Sequence, residues 1–359
     1  MSRSPDVVII GGGIVGLCTA VAAAERGMWI TVIDDRQPGA ASRASAGMLA
    51  PSLPGLPESV RGLACTARDM YVDAVARISA QSGVSIHLDR SGILEIAATG
   101  PELDLLPSRA CGAVHLSQRE LAVIEPALKD HAGAIFHPDD GWVDNQAMMD
   151  ALSTVLQRHA RVDVITDRVA RVDVSRDGTV AVLTNGDRIG SSRMVNATGA
   201  WAAHLTGLPR QLPVRPVKGE LLTLDICPVH HVVYGAAGYL VPRANAVLVG
   251  ATNDEGSFDA TPSIDGREFL TSAAAALAPE LSRARVVHHW AALRPCSPDG
   301  LPILGEDVNN PLLLHACGFS RNGVLLAPWA GESLAALLAG DVHAAVPPEF
   351  SPSRFAENW

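Results

Sequence analysis

The sequence lacks any long hydrophobic run that could form a membrane span or the core of a signal peptide. The first apolar stretch, Val7–Ile10, stops at Gly11 after four residues, and the residues before it are few and mostly polar. A membrane-spanning helix needs about 20 apolar residues, and the core of a signal peptide needs roughly 7–15. We therefore expect a cytoplasmic protein with no membrane partner.

A basic surface and closely spaced cysteines are also missing. Lys and Arg number 28 against 38 Asp and Glu, and the formal net charge is −10. Nucleic acid is not an expected partner, because phosphate binding requires a basic face. The cysteines form no CxxC pair, so we expect free thiols in a reducing compartment and no metal site. They are Cys18, Cys65, Cys111, Cys227, Cys296 and Cys317.

The N-terminal segment has the pattern of a βαβ unit. The run Val7–Ile10 is apolar throughout, which is typical of a strand buried on both faces of a parallel sheet. The alanine-rich segment 17–26 then predicts a helix, and Ile30–Ile33 predicts a second strand. Between the first strand and the helix lie three glycines with the spacing of a dinucleotide-binding fingerprint: Gly11, Gly13 and Gly16.

Each part of this fingerprint has a physical reason. Gly11 allows a tight turn, Gly13 lets the backbone approach a pyrophosphate, and Gly16 lets the helix pack close to the strand. The helix N-terminus supplies amide donors and the positive end of the helix dipole. The pair Asp34-Asp35 begins 18 residues after Gly16, and the Asp34 carboxylate can accept from a ribose hydroxyl. The pattern predicts dinucleotide binding without choosing between FAD and NAD.

Segments farther along the chain narrow this choice. They are short motifs around predicted strands and turns, namely 43–49, 216–220, Gly238–Arg243, 249–252, 290–295, 297–303 and 318–328. Together with the fingerprint they closely resemble the D-amino-acid oxidase superfamily of FAD enzymes, and within it the glycine oxidase branch of the thiamine pathway. The resemblance runs from residue 7 to about residue 340.

The resemblance implies an α/β fold in which a Rossmann-type FAD-binding domain is joined to an α+β substrate domain built on a large mixed sheet. The FAD-binding domain would be discontinuous and comprise residues 1–84, 142–213 and 291–359. The substrate domain would comprise residues 85–141 and 214–290.

FAD is the implied cofactor, and segment 319–325 would lie along its flavin ring at the start of the last helix. The helix dipole there would favour the negative charge of reduced flavin. Val169 would touch the adenine end through its backbone. The full set of implied contacts is Gly11, Gly13, Ile14, Val15, Gly16, Asp34, Asp35, Ala41, Ser42, Ala46, Gly47, Met48, Val169, Phe319, Ser320, Asn322, Gly323, Val324 and Leu325.

Substrate binding is implied for Tyr239, Arg294 and Arg321. A carboxylate that enters a site from which water is excluded needs a fixed counter-charge. Arginine binds a carboxylate through two parallel hydrogen bonds. A tyrosine hydroxyl can add a third donor. Structural interpretations remain open for each: a buried structural arginine at 294, a cap of the flavin loop at 321, and an ordinary sheet tyrosine at 239.

Two adjacent histidine pairs invite a metal or base interpretation. His288 and His289 lie on a predicted strand, where neighbouring side chains face opposite sides, so we interpret them as structural. We interpret His230 and His231 in the same way, and we expect Lys218 to support a strand turn rather than to carry chemistry.

Three positions depart from patterns seen in related enzymes. Sarcosine oxidases hold flavin through a cysteine two residues before the arginine, and this chain has Ala292 there, so we expect non-covalent FAD. Cys296 follows Arg294-Pro295, a position at which glycine oxidases commonly have glycine. Ala237 stands where glycine oxidases often have histidine. Because alanine is small, a substrate larger than glycine remains open, such as sarcosine, D-alanine or D-proline.

The implied reaction is oxidation of a small amino acid by hydride transfer to flavin, with no catalytic residue of the protein. Oxygen would reoxidise the flavin and yield H2O2, and the imine would hydrolyse to an oxo acid and ammonia or an amine. The alternatives are a dehydrogenase that uses another electron acceptor, an NAD-dependent dehydrogenase, and a non-catalytic flavoprotein. A homo-oligomer, often a tetramer among relatives, is an expectation by analogy.

Overall fold

Helices and strands are mixed along the whole chain, in a computed structural model that describes residues 4–106, 112–341 and 346–355. The α-helices are α1 (Ile14–Glu25), α2 (Ala41–Ala44), α3 (Glu58–Ser82), α4 (Gly100–Leu105), α5 (Gln118–Ile124), α6 (Asn145–Arg158), α7 (Ile264–Leu277) and α8 (Gly323–Leu338). The strands are β1 (Val7–Ile10), β2 (Ile30–Ile33), β3 (Met48–Leu49), β4 (Leu88–Asp89), β5 (Ile93–Ala97), β6 (Val114–Ser117), β7 (Gly133–His137), β8 (Gly141–Val143), β9 (Val162–Ile165), β10 (Val169–Val174), β11 (Thr179–Leu183), β12 (Arg188–Ser191), β13 (Arg193–Asn196), β14 (Arg215–Leu224), β15 (Val232–Gly235), β16 (Gly238–Arg243), β17 (Ala246–Gly250), β18 (Asp254–Glu255), β19 (Val286–Cys296), β20 (Ile303–Glu306) and β21 (Leu313–Cys317).

Strand β1 lies inside a largely parallel sheet of order β20-β21-β13-β1-β2-β9, in which β20 runs antiparallel to β21. Val7 and Ile9 face a layer formed by α1, α3, α6 and α8. Val8 and Ile10 face the small antiparallel sheet β10-β11-β12. The predicted strand buried on both faces is confirmed, and the alternation explains why all four residues are apolar.

A second, mixed sheet has the order β18-β14-β17-β16-β15-β5-β7-β6, and β19 also pairs with β14. One face packs against α7 through residues such as Leu222 and Leu270. The other face carries Leu221, Val241 and Leu248, which pack against Ala46 and other residues of the N-terminal part of the chain. The fold class predicted from the sequence is confirmed.

Local signals in the sequence also correspond to structure. Asp144 is the N-cap of α6, and its carboxylate accepts from the Ala147 amide at 3.0 Å. Asn185-Gly186 forms the turn between the antiparallel strands β11 and β12. The end predicted for the strand at 286–290 is wrong. That strand continues to Cys296 because β14 pairs with it along its whole length, so residues 291–296 belong to the mixed sheet.

The cysteines that the structure describes are all free thiols, and Cys111 lies outside the described residues. Burial raises the pKa of Cys18 and of Cys317 to about 12. Within residues 4–106, 112–341 and 346–355, no helix is long and apolar enough to cross a membrane.

Helices α1 and α8 pack closely, and a glycine makes this approach possible. A Cβ at Gly331 would lie 2.7 Å from the backbone carbon of Cys18. On α3, Gly62 is exposed, and a Cβ there would have no atom within 4 Å. The same substitution should therefore have opposite effects at the two positions.

We expect Gly331→Ala to lower the free energy of unfolding by about 1–3 kcal/mol through overpacking. We expect Gly62→Ala to raise it by about 0.5–1 kcal/mol, because alanine loses less conformational entropy in a helix. Thermal unfolding of both variants at saturating cofactor measures the difference. Equal shifts in Tm would show that the α1–α8 contact is looser than the structure indicates.

Candidate active site

A cavity of about 830 Å³ opens where the carboxyl ends of the parallel strands face the mixed sheet. Its wall includes Gly11 after β1, Asp34 after β2 and Thr198 after β13. Ligands of open α/β sheets bind at this edge. All cofactor and substrate residues predicted from the sequence line this single cavity, from Gly11 to Leu325.

The glycine turn is shaped as the fingerprint requires. Gly11 has φ +110°, and a Cβ there would overlap the carbonyl oxygen of Ala197. A Cβ at Gly16 would overlap the carbonyl oxygen of Gly11, so glycine at 16 allows α1 to approach the turn. Gly13 is the N-cap of α1 and has no backbone atom near its would-be Cβ. The turn therefore leaves its backbone open toward the cavity.

The amides at the start of α1 are only partly satisfied. The Ile14 amide donates to Ser42 Oγ at 3.0 Å, and Asn145 Nδ2 fixes the Ser42 carbonyl at 2.7 Å. In the described part of the chain, the amides of Val15 and Gly16 have no acceptor. With the helix dipole, they form a site suited to an anion such as a pyrophosphate.

The two acidic residues after β2 differ in their surroundings. Asp35 accepts from Arg168 Nε at 2.7 Å and from Gln37 Nε2 at 2.5 Å. The carboxylate of Asp34 has no hydrogen-bond donor among the described residues. Glycine at 12 leaves room for this carboxylate, because a Cβ there would lie 2.9 Å from its carbon. Asp34 is therefore the carboxylate that remains available for a ribose hydroxyl.

Sequence reasoning missed part of this wall. The turn after β13 brings Thr198, Gly199 and Trp201 to the cavity, followed by His204 and Leu205. Val169, for which a backbone contact with the adenine is implied by resemblance, lies in the same wall. The signal for the missed residues was present, because a buried strand ending in Thr-Gly belongs to the same carboxyl edge as β1 and β2.

The opposite end of the cavity is formed by two segments, Ala46 to Met48 and Phe319 to Leu325. Arg243 donates to the Ala46 carbonyl at 2.9 Å and stacks on Trp142 at 3.6 Å. Burial lowers the pKa of Arg243 to about 10, so it stays protonated near neutral pH. The segment before α8 turns at Ser320, which has φ +51° and donates its amide to Pro295 at 2.8 Å.

Arg294 is an enclosed cation on β19. Its Nη1 donates to the carbonyls of Thr252 at 3.1 Å and Lys218 at 3.4 Å, and no carboxylate among the described residues pairs with it. A Cβ at Gly219 would overlap the guanidinium, so glycine opposite is what leaves room for it. Burial lowers the pKa of Arg294, since the charged form loses hydration. An anion entering the cavity would compensate this cost.

Arg321 and Tyr239 stand beside Arg294. Arg321 is exposed, and its Nη2 donates to the Pro54 carbonyl at 2.8 Å. Tyr239 lies over Gly250, where a Cβ would overlap the phenol ring. Burial raises the pKa of Tyr239, so it is a neutral donor, and the charges of Arg294 and Arg321 both act on it. The three predicted substrate residues therefore share one end of the cavity.

Carboxylates lie beside four of the other residues singled out in the sequence, namely His289, His230, His231 and Lys218. His289 contacts Glu220 at 2.9 Å, and His288 is exposed on the opposite side of β19. Both His230 and His231 contact the buried carboxylate of Glu125. Lys218 pairs with Glu220 at 3.3 Å.

Among the residues that the structure describes, no group of three or more His, Cys, Asp or Glu could hold a metal ion.

Ala292 and Ala237 both line the cavity. Cys296 pairs with Phe319 through a backbone bridge, and burial raises the pKa of its thiol.

Comparison with known proteins identifies what this architecture resembles. The model of the family described as FAD dependent oxidoreductase matches residues 6–337. The chain is 32% identical over 99% of its length to the bifunctional protein ThiO/ThiG of Synechocystis sp., of which it covers 55%, so it spans about half the length of that relative. It is 30% identical to the glycine oxidase of Pseudomonas putida, with 97% of this chain and 98% of that protein covered.

The structure is similar to the crystal structure of glycine oxidase from Geobacillus kaustophilus. The TM-score is 0.91 at 30% sequence identity, and 98% of each chain is covered. The similarity therefore extends through both sheets and through the cavity between them.

The contrast between Asp34 and Asp35 gives a test of the dinucleotide end. We expect Asp34→Ala to raise the Kd of FAD by about 10- to 100-fold, because a hydrogen bond from a charged acceptor contributes about 1.5–3 kcal/mol. Asp35→Ala should change it by less than about threefold, because Asp35 already pairs with the exposed Arg168 and such a pair contributes little; this result would remove Asp35 from the implied FAD contacts. Fluorescence titration of apoprotein with FAD measures both, and equal losses would contradict the assignment.

Proposed function

We propose that this chain, which belongs to the family of FAD dependent oxidoreductases, oxidises a small amino acid at the carbon that carries its amine. The observation that supports this most is Arg294, an enclosed guanidinium with backbone carbonyls but no described carboxylate as partners. Such a cation suits an anionic ligand, and Tyr239 and Arg321 lie beside it. An amino-acid carboxylate has the size and charge to fill that position.

The cofactor is FAD, and the residues of the cavity fit it. Gly11 and Gly16 leave room for a close backbone approach, the α1 amides suit a pyrophosphate, and Asp34 is free to accept from a ribose. The segments Ala46 to Met48 and Phe319 to Leu325 would hold the flavin. Bound FAD supplies the two-electron acceptor for the hydride of the substrate Cα, and oxygen takes up the electrons as H2O2.

The protein's own part is binding and orientation. Arg294 and Arg321 would fix the carboxylate, and Tyr239 would donate a hydrogen bond to it. These contacts would hold the substrate beside the segments that would bind the flavin, which is a gain in positioning rather than in acid–base chemistry. The amine enters neutral and keeps its lone pair, so no base of the protein is required.

The products follow from the balance of atoms. Loss of a hydride from Cα and a proton from nitrogen leaves an imine, and water converts it to an oxo acid with release of ammonia or a primary amine. Overall, one amino acid, one O2 and one water yield one oxo acid, one amine and one H2O2. We propose that FAD is bound non-covalently, because the position two residues before Arg294 is Ala292. We also propose a cytoplasmic location, since the cysteines that the structure describes are all free thiols.

Anaerobic titration of the purified yellow protein with glycine, sarcosine, D-alanine and D-proline tests the proposal. We expect at least one of them to bleach the flavin absorbance, with H2O2 formed when air is admitted. Bleaching without peroxide would indicate a dehydrogenase with another electron acceptor. A protein that carries FAD and is bleached by none of them would contradict the proposed substrate class.

Replacement of Arg294 tests the carboxylate site. We expect Arg294→Met to lower kcat/KM for the amino acid by about 10²-fold or more, because removal of one partner of an enclosed charge pair costs roughly 2–5 kcal/mol. Arg215→Met on β14 removes an arginine whose ion pair with Glu255 is exposed, and it should leave kcat/KM unchanged. FAD content, read from the visible spectrum, should stay constant in both variants.

The size of the residue at 237 tests the substrate range. Ala237 lines the cavity two residues before Tyr239, and a larger side chain there would reduce the space beside the carboxylate site. We expect Ala237→His to lower kcat/KM for D-proline about tenfold relative to glycine. Competition between the two substrates measures the ratio, and an unchanged ratio would show that Ala237 does not contact the substrate.

A further inference from the structure

A buried ion pair lies outside the cavity and has no part in the reaction as proposed. Asp140 is fully buried, and its Oδ1 accepts from Arg68 Nη1 at 2.9 Å. Arg68 lies on α3, and its Nε also donates to Asp69 at 3.0 Å. Charges are costly to bury, and this carboxylate is held by more than its ion pair. Its second oxygen accepts from the amide of Ser52 at 3.2 Å.

Ser52 belongs to the segment 50–56, which forms a wall of the cavity. Leu53 and Pro54 in this segment line the cavity directly. The carbonyl of Pro54 accepts from Arg321 Nη2 at 2.8 Å. At Gly55, φ is +125° and a Cβ would lie 2.6 Å from that same Nη2, so the backbone is closely fitted to the guanidinium. A continuous set of contacts thus leads from Asp140 to Arg321.

The segment that carries Arg321 is tied to the same helix. Tyr71 lies three residues after Arg68 on α3 and is fully buried. Its hydroxyl donates to the Val324 carbonyl at 2.5 Å, three residues beyond Arg321. Residues three apart lie on one face of a helix. The two segments that meet at the Arg321–Pro54 hydrogen bond are therefore both fixed to one face of α3.

This anchoring matters because Arg321 is exposed. A free arginine side chain samples many rotamers and must be ordered when a ligand binds. The hydrogen bond to Pro54 restricts the guanidinium in advance, provided that the segment 50–56 is itself held in place.

We propose that Asp140, paired with Arg68, is a positioning residue for the substrate carboxylate. It holds the Ser52 amide, and thereby the Pro54 carbonyl, where Arg321 is oriented for binding. The proposal rests on the proposed function, since it takes Arg321 as a carboxylate ligand. It goes beyond that function by assigning a role to a residue that touches neither substrate nor cofactor.

The test compares Asp140→Asn with Asp139→Asn, its exposed neighbour, in the FAD-loaded protein. Two quantities are measured: KM and kcat for the amino acid that bleaches the flavin, and the Kd of acetate from the change in flavin absorbance. We expect Asp140→Asn to raise KM and the acetate Kd about tenfold while kcat changes by less than about twofold. Asp139→Asn should change none of them.

A second pair of variants separates positioning from general stability. In an Arg321→Met background, Asp140→Asn should no longer change the acetate Kd, because the side chain through which it acts is gone. An equal effect in both backgrounds, or no effect in either, would overturn the proposal. If Asp140→Asn does not fold, the double variant Asp140→Leu with Arg68→Met removes both charges, avoids an unpaired buried one, and leaves the Ser52 amide without its acceptor. The effect of this double variant on the acetate Kd, with and without Arg321→Met, then decides whether Asp140 acts through Arg321.

Failure of the proposed function would look different. In that case wild-type protein would show neither bleaching by an amino acid nor a spectral change with acetate, and Arg321→Met would alter nothing. That result would remove the basis of the positioning role together with the function.

Discussion

The enclosed positive charge of Arg294 is the constraint on which the rest of the site depends. A partly buried guanidinium is stable only if its donors find acceptors. Here two backbone carbonyls accept from Nη1 of Arg294. The remaining donors are left for a ligand. Two features of the fold accommodate this side chain. Residue 219 is glycine, and any Cβ there would displace the Arg294 guanidinium. Strand β19, which carries Arg294, pairs with β14 along its whole length.

The two sheets contribute different things to this arrangement. The parallel sheet ends in turns that suit a dinucleotide, and the mixed sheet brings a cation and a phenol to the far end of the same cavity. The packing of Ala46 and Leu53 against Leu221 and Val241 fixes one against the other. If both ligands bind as proposed, the interface between the sheets sets the distance between cofactor and substrate, and mutations in that interface should act on the reaction without touching either ligand.

The sequence was sufficient for those parts of the structure that depend on local pattern. The βαβ unit, its glycines and the cap at Asp144 follow from spacing and backbone geometry alone, whereas the proposed substrate residues are implied by resemblance. The difference between Asp34 and Asp35 could not be predicted, since it depends on Arg168, which is distant in sequence. The length of β19 was missed because its continuation beyond Trp290 depends on pairing with β14, which is distant in sequence.

The anchoring of segment 50–56 had no signal in the sequence either. Asp140 and Ser52 are 88 residues apart, and neither belongs to a motif. Such contacts are set by tertiary packing rather than by propensity, so they become visible only when the chain is folded.

In the proposed function, a carboxylate held by arginines places the amine for oxidation. The most direct measurement is the anaerobic rate of flavin reduction by the best amino acid of the panel and by the same amine without its carboxylate. We expect removal of the carboxylate to slow reduction by at least about 10²-fold at equal concentration. Equal rates for the two compounds would contradict it.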